Sequence, residues 1–504
     1  MGGNVFSSGP NRLYTPRMSL SVYKHVKVQC TSVLKDLGFS RVATPIEAPG
    51  KDSFGDVDFL ACLEGTSFPP SARLDASVWD LIEKSLGAVR SYSEGRIGAD
   101  KQRIIDSKNF AISWPAGLGP AESDGTAESR ENGHALDTNP AAQEGESKAE
   151  SGLRFIQVDV RLCDTHQELE WRVFKHNHGD LWNMIGQTIR PFGLTADETG
   201  LYIRIPEIER QDKKKARVLL SSDPTKVIDF LGLGRLNGEW EKPFESVSGL
   251  FEYAASCKWF MLWPRDQDVD EEGTTRDDSK DKADKELQKD LKQLKANDRA
   301  RMRQRPAFAR WVNEFIPACR AEGRFMVSNR EKRTPKDVRD EVREQAFKTF
   351  PGSEGAYNSA LADWNKEKTR IFVKNKLIKE DTCLPADITP SLPALPERVG
   401  DTSAAIRDLE KNWRGVLRSA LAKVIIDDDD SFEGVRPPML RDADGVLQVD
   451  DVKDWIHRNW EDVGRVAWAL NLERTRESMA RKLKAAEDAQ SDKAAADATA
   501  GGRR

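Results

Sequence analysis

Apolar residues recur along the chain with two different periods, and each period predicts an element. Over residues 19–37, Val22, Val26, Val33, Leu34 and Leu37 fall at roughly helical spacing and stop at Gly38, which predicts a helix with a glycine end. Val78, Leu81, Ile82 and Leu86 predict a second helix over 76–88. Extended segments are expected near Val42, in "NFAISWP" (109–115) and in "RFIQVDVRLC" (154–163), the last two paired as a hairpin. "THQE" (165–168) is a capping-box signature that opens a helix to about Lys175, and Pro191 ends a second one, "DLWNMIGQTIR". "GLYIRI" reads as a strand, and Asp223-Pro224 opens a helix that closes near Gly232. Val247, Leu250, Phe251, Ala254 and Ala255 form the stripe of a buried helix over 246–260. Downstream, Ile406, Leu409, Trp413, Val416, Leu417, Ala420, Leu421 and Val424 form one long stripe, and Val452, Trp455, Ile456, Val463 and Leu470 another. These two are expected to pack together.

Composition divides the chain. Residues 116–151 carry no apolar periodicity and are rich in Gly, Ala, Ser and Glu, so they cannot offset their ordering entropy by burial and read as a disordered insertion between paired strands. The expected organisation is a disordered N-terminus (1–18), a folded domain (19–262), an acidic linker (263–286), a charged helical region (287–400), a C-terminal helical domain (401–482) and a disordered tail (483–504). With 78 Lys and Arg against 83 Asp and Glu, the whole-chain balance does not announce a nucleic-acid binder, so any basic surface must be local. The six cysteines are scattered with no CxxC pair and no secretion signal, which argues for reduced thiols in an intracellular protein, cytoplasmic or nuclear, and against a zinc knuckle. No apolar run approaches the ~20 residues that span a bilayer, so no membrane partner is expected.

The candidate chemistry lies in "GKDSFGDVDFL" (50–60). Strand side chains alternate faces, so Val57 and Phe59 are expected in a core while Asp56 and Asp58 share the other face. Two adjacent carboxylates repel, and cations or water must relieve them. Gly55 suggests a tight turn with another group close to the backbone. In "FIQVDVRLC", Asp159 again breaks an apolar strand; beside the first strand it would bring three acids to one sheet face. Three carboxylates on a rigid sheet suit hard divalent ions, which take oxygen ligands. Water-facing strand acids remain the bland alternative.

Together these pieces resemble a family. "FGDVDFL" followed by "IQVDV" looks like the DxD and third Asp of the DNA polymerase β-like nucleotidyltransferases, the superfamily of poly(A) polymerases and CCA-adding enzymes. "HNHGDLWNMIGQTIRPFGLTADETGLYIRI", "VIDFLGL", "SVSGLFEYAASCKWF" and "DRARMRQRPAFARWV" resemble, in order, a phage and fungal branch of these proteins over roughly residues 20–320. The resemblance implies an α+β fold, with a nucleotidyltransferase-type mixed sheet flanked by helices in 19–262 and a mainly helical C-terminal region. It implies Asp56 and Asp58 as ligands of two Mg2+ or Mn2+ ions and Asp159 as a ligand of the catalytic one. The substrate would be an NTP, with ATP expected, and the acceptor a hydroxyl, expected on nucleic acid. One departure is plain: the family's Gly-Ser pair before the first Asp is missing. Gly50, Lys51, Ser53 and Gly55 stand there instead, Lys51 offering a point charge and Ser53 a hydrogen bond to phosphates.

Other candidates are weaker. His176 and His178 form a His-x-His without a nearby third ligand, and a turn at the cleft wall suits His178, Gly179 and Asp180 better than zinc. Arg190 closes a helix, where a cation is favoured, and can equally reach a phosphate. Trp171, Trp182 and Phe192 are expected in the core rather than stacked on a base. The basic run 298–306 is the candidate contact for an RNA or DNA backbone, against the reading of one solvated helix face. Two functions remain: the nucleotidyltransferase, or a catalytically inactive relative kept as a binding or scaffold module. Oligomeric state is not legible.

Overall fold

A computed structural model describes residues 3–68, 76–97, 103–119, 153–234, 238–263, 301–327, 333–380 and 403–501 apart from Glu433, with isolated positions between 382 and 393. The chain divides into two units, Met1–Glu354 and Gly355–Arg504. That boundary falls inside the charged region 287–400 rather than at the acidic linker, because the helices at Pro306–Ala321 and Pro335–Thr349 belong to the first unit. The linker, the start of the charged helix and most of the 116–151 insertion lie outside the described residues.

The class is α+β. The first unit is built on a five-stranded sheet in the order β1-β2-β5-β4-β3. Its strands are β1 (Val42–Ala43), β2 (Asp56–Cys62), β3 (Ala88–Ile97), β4 (Arg103–Ser113) and β5 (Phe155–Cys163). β2 and β5 run parallel, and the other neighbours are antiparallel. The expected hairpin is present, with Ser113 opposite Phe155 and Asn109 opposite Asp159. β3 was not expected: "AVRSYSEGRI" lacks an apolar alternation because it is an edge strand, with Val89 and Tyr92 exposed.

One face of this sheet is covered by α1 (Leu20–Asp36) and α2 (Ala76–Ser85). Val22, Val26 and Leu34 of α1, and Val78, Trp79 and Ile82 of α2, pack with Val57, Phe59, Phe110, Ile156, Val158 and Val160. Each such buried side chain contributes about 1.5–3 kcal/mol, which fixes the strand registers: a one-residue slip would turn every acid into the core. Gly38 ends α1 at φ +98°, a conformation that costs a residue with a Cβ.

The other face is partly covered by α3 (His166–His176), whose Leu169 packs on Leu60, Cys62 and Cys163. Thr165 caps α3 by accepting from the Glu168 N–H. α4 (Leu181–Ile189) follows, and then a three-stranded antiparallel sheet of β6 (Leu194–Ala196), β7 (Leu201–Arg204) and β8 (Arg217–Ser221). Among the later helices are α5 (Pro206–Glu209), α6 (Pro224–Leu231) and α7 (Val247–Ala255). Asp223 caps α6 and Gly232 closes it at φ +69°, as the sequence predicts.

Residues 3–18, expected to be disordered, are instead held to the sheet. Phe6 is buried, Met18 and Phe54 exchange backbone hydrogen bonds at 2.7 and 3.0 Å, and the Phe155 N–H donates to Tyr14 O. These backbone hydrogen bonds hold the segment in place, and sequence pattern does not display them.

In the second unit the two predicted stripes meet. Helix Ser403–Ile426 and helix Val449–Gly501 share a core of Trp413, Leu417, Leu421, Val424, Val452, Trp455, Ile456 and Val463, with Trp413 edge-on to Trp460. The second helix runs on to Gly501, so the tail from 483 is helical rather than disordered through that residue.

Candidate active site

The parallel register of β2 and β5 places Asp58 directly beside Asp159, with Asp56 beside Gln157. β4 adds Asn109 on the far side of Asp159. Asp58, Asp159 and Asn109 thus form a row across three adjacent strands, at about 4.8 Å per strand. Val57 and Phe59 are fully buried on the opposite face, as the alternation predicts. The row floors a cleft of about 120 Å³ whose lining includes Pro45, Ser107, Arg161 and His176. At ~30 Å³ per water it has room for about four waters.

A fourth carboxylate joins the acids. Glu47 acts on both Asp56 and Asp58, and is held by the Tyr23 hydroxyl at 2.8 Å and by Lys51. The segment carrying it is gripped by the turn after α3: Ile46 donates to Asn177 Oδ1 at 2.8 Å and accepts from the His178 N–H at 2.7 Å. His178 holds φ +60° there, and Gly179 lies so close to Ala48 that a Cβ would approach it to 2.9 Å.

Electrostatics follow from this crowding. The Asp58 carboxylate opens to the cleft but is walled closely by protein, and that desolvation, with Asp56, Asp159 and Glu47, pushes its pKa up to about 7 against the pull of His176. Asp56 is also raised by burial, opposed by Lys51 and by a hydrogen bond from the Gly3 N–H. Asp159 is held by Gln157, a buried side chain whose Nε2 donates to both carboxylate oxygens at 2.9 and 3.1 Å. Asn109 is buried too, and its Oδ1 has no hydrogen-bond partner among the described residues.

The expected phosphate-contacting residues have partners within the protein. Lys51 pairs with Glu47 and lies over the Phe54 ring, where it still acts on Asp56. The Ser53 hydroxyl accepts from Arg17 Nε and its carbonyl from Arg17 Nη2, both at 2.7 Å. Gly55 is met by Gly3, where a Cβ on Gly3 would come within 2.1 Å of the Gly55 carbonyl oxygen. Gly50 takes φ +72°, so that turn does need its glycine. Arg190 donates to Gly186 O at 2.6 Å at the end of α4 and is not among the residues lining the cleft.

Trp171, Trp182 and Phe192 are buried as expected. His178 is buried with its Nε2 2.8 Å from Trp240 O, and His176 lies 3.1 Å from Glu198, so the two histidines serve different neighbours. In the basic run, residues 298–300 lie outside the described residues and Arg305 pairs with Asp180 at 2.7 Å. Sequence reasoning missed Glu47, Gln157 and Asn109. Gln157 was legible, two residues before Asp159 on the same strand face; Asn109 needed the register, and Glu47 the turn that grips it.

Compared with known proteins, the chain matches no family model, and none of the curated proteins is significantly similar to it. Among the described residues, no helix is long and apolar enough to cross a membrane.

Proposed function

We propose that the chain is a metal-dependent nucleotidyltransferase that moves a nucleoside monophosphate from an NTP to an acceptor hydroxyl. The observation that carries this reading is the row of Asp58, Asp159 and Asn109, whose Oδ1 has no hydrogen-bond partner among the described residues, beside Asp56. These are hard oxygen donors, crowded enough that desolvation and the neighbouring acids push Asp58 up to about 7 against the pull of His176. Such a set fits Mg2+ or Mn2+. Asp56 and Asp58 would hold two ions and Asp159, fixed by Gln157, the one beside the nucleophile. When bound, paired divalent ions ease ionisation of the attacking hydroxyl and offset charge on the departing pyrophosphate. The chain's own part is to fix three carboxylates on a rigid sheet, so that little reorganisation is left for the reaction.

The experiment is incubation with each labelled NTP, Mg2+ or Mn2+ and a mixed RNA pool. Label transferred to RNA, dependent on metal and lost in Asp159→Ala, is the expected result. A second reading, a binding module without catalysis, is favoured by one feature: Arg17 and Gly3 already engage the Ser53–Gly55 turn. It predicts no transfer and no stabilisation by any NTP with metal.

A further inference from the structure

A second donor cluster lies at the start of α3, the opposite end of that helix from His176. Cys62 ends β2, Glu64 lies in the turn after it, and His166 opens α3. One donor atom from each falls within 4.8 Å of the other two. A shared ion would sit under about 3 Å from each, a small side-chain adjustment away from the ~2.0–2.3 Å of zinc–ligand bonds.

The hydrogen bonds around the cluster orient it. The Ser40 hydroxyl donates to the Glu64 carbonyl at 2.6 Å, so its oxygen is left to accept from His166 Nε2 at 3.3 Å. That places the imidazole proton on Nε2 and turns the Nδ1 lone pair toward Glu64 Oε2, 3.8 Å away. Two acceptors then face each other with a sulfur beside them. The Glu64 carboxylate is fixed in turn by the His166 N–H at 2.7 Å, and the Glu64 N–H faces the Cys62 sulfur. Outer hydrogen bonds of this kind fix the tautomer and aim of metal ligands. The competing arrangement is an imidazolium ion-paired with Glu64, with the thiol a bystander.

We infer that Cys62, Glu64 and His166 form a binding site for one zinc-class divalent ion, separate from the carboxylate cleft. Thiolate, imidazole and carboxylate together select Zn2+ over Mg2+, and thiolate plus carboxylate balance its charge. The thiol proton leaves to solvent on binding. Glu64 and His166 are partly exposed, so the ion's remaining position opens to water. The site would tie the end of β2 to the start of α3, whose last residue lines the acid cleft.

The test is Co2+ titration of the chelator-treated full chain, with excess Mg2+ present to occupy the carboxylates. One equivalent should give the thiolate-to-cobalt charge-transfer band, displaceable by Zn2+. The band should vanish in Cys62→Ser and persist in Asp58→Asn. Cys62 is buried and its replacement can disturb the strand end, so the half-exposed His166→Ala and Glu64→Gln carry the decision. Each should weaken Co2+ at least about tenfold with an unchanged circular dichroism spectrum. Absence of the band in the wild type, or a band of unchanged affinity in both of those variants, overturns the site.

Discussion

Gln157 Nε2 donates to both carboxylate oxygens of Asp159, while its Oε1 accepts from the Val5 N–H at 3.1 Å. A single buried amide therefore aims the acid and fastens the N-terminal segment. Replacing it by Leu keeps the volume and removes both functions. On the metal-dependent reading, metal affinity at the acids should fall about tenfold, the usual scale for loss of an orienting partner. Stability should fall by about 1–3 kcal/mol because the Val5 N–H loses its acceptor. Mn2+ titration and denaturant melts read the two effects separately; unchanged Mn2+ affinity would show that Asp159 is aimed by something else.

The insertion can be tested without reference to its conformation. β4 and β5 are registered to their ends, Ser113 facing Phe155, and the Trp114 N–H donates to Arg154 O at 2.9 Å. Leu118 still packs on the core. Replacing residues 121–150 with a short Gly-Ser linker should therefore change stability by under about 1 kcal/mol, because loop-closure entropy grows only logarithmically with length. A variant that fails to fold would mean that core contacts lie within the deleted stretch.

The sequence displays what periodic burial encodes. The stripes of α1, α7 and the two C-terminal helices, the Thr165 and Asp223 caps and the β4–β5 pairing all follow from local pattern. So does the division of Val57 and Phe59 from Asp56 and Asp58, since a period of two leaves no other choice. What stayed hidden depends on backbone hydrogen bonds or on register. The inner face of the edge strand β3 carries Ala88 and Ser91 rather than large apolar residues, and the segment 3–18 is held by main-chain hydrogen bonds together with buried Phe6 and Met18. Glu47 reaches the acids through a turn gripped at Ile46 by Asn177 and the left-handed His178, contacts far apart in sequence.

Gly464 sets two effects of opposite sign against each other. An exposed helical Gly→Ala ordinarily stabilises by up to about 1 kcal/mol. Here an added methyl would meet Trp413 Cζ2 at 2.1 Å, inside the core of the second unit. Displacing a packed indole costs about 1–3 kcal/mol, so the clash should win. Gly464→Ala is expected to lower the melting temperature of the second unit, and any rise would refute the packing.

Asp58 should make the metal-free protein less stable as pH rises. Its carboxyl moves from 3.8 to about 7, so the native state holds the extra proton between those values. Below about pH 4 both states are protonated and Asp58 costs nothing; the cost grows from 4 to 7 and is complete above 7. Its opening to the cleft screens the charge, so about 1–2 kcal/mol is a reasonable ceiling. Asp58→Asn should accordingly match wild type near pH 4 and exceed it at pH 8, by melts in chelator. A difference independent of pH would remove titration of this group as the cause.

The decisive comparison is between Asp159→Ala and Asp56→Ala. Without metal, the clustered carboxylates repel, so removing either relieves repulsion. In Asp159→Ala this is set against the buried Gln157 Nε2 losing its acceptors, about 1–3 kcal/mol. Both variants should keep the fold. With Mg2+ and NTP the two should part. On the proposed reading Asp159, held by Gln157 beside Asp58, would serve the nucleophile, so its loss should abolish transfer while a ligand-induced rise in melting temperature remains. Asp56 would serve both ions, so its loss should remove transfer and most of that rise together. Ligand stabilisation scales with RT ln(1 + [L]/Kd), about 2.7 kcal/mol at a hundredfold excess over Kd, well within reach of a thermal melt. A wild type that gains nothing from any NTP and metal would defeat the catalytic reading, and the row of acids would then belong to a fold that works by binding.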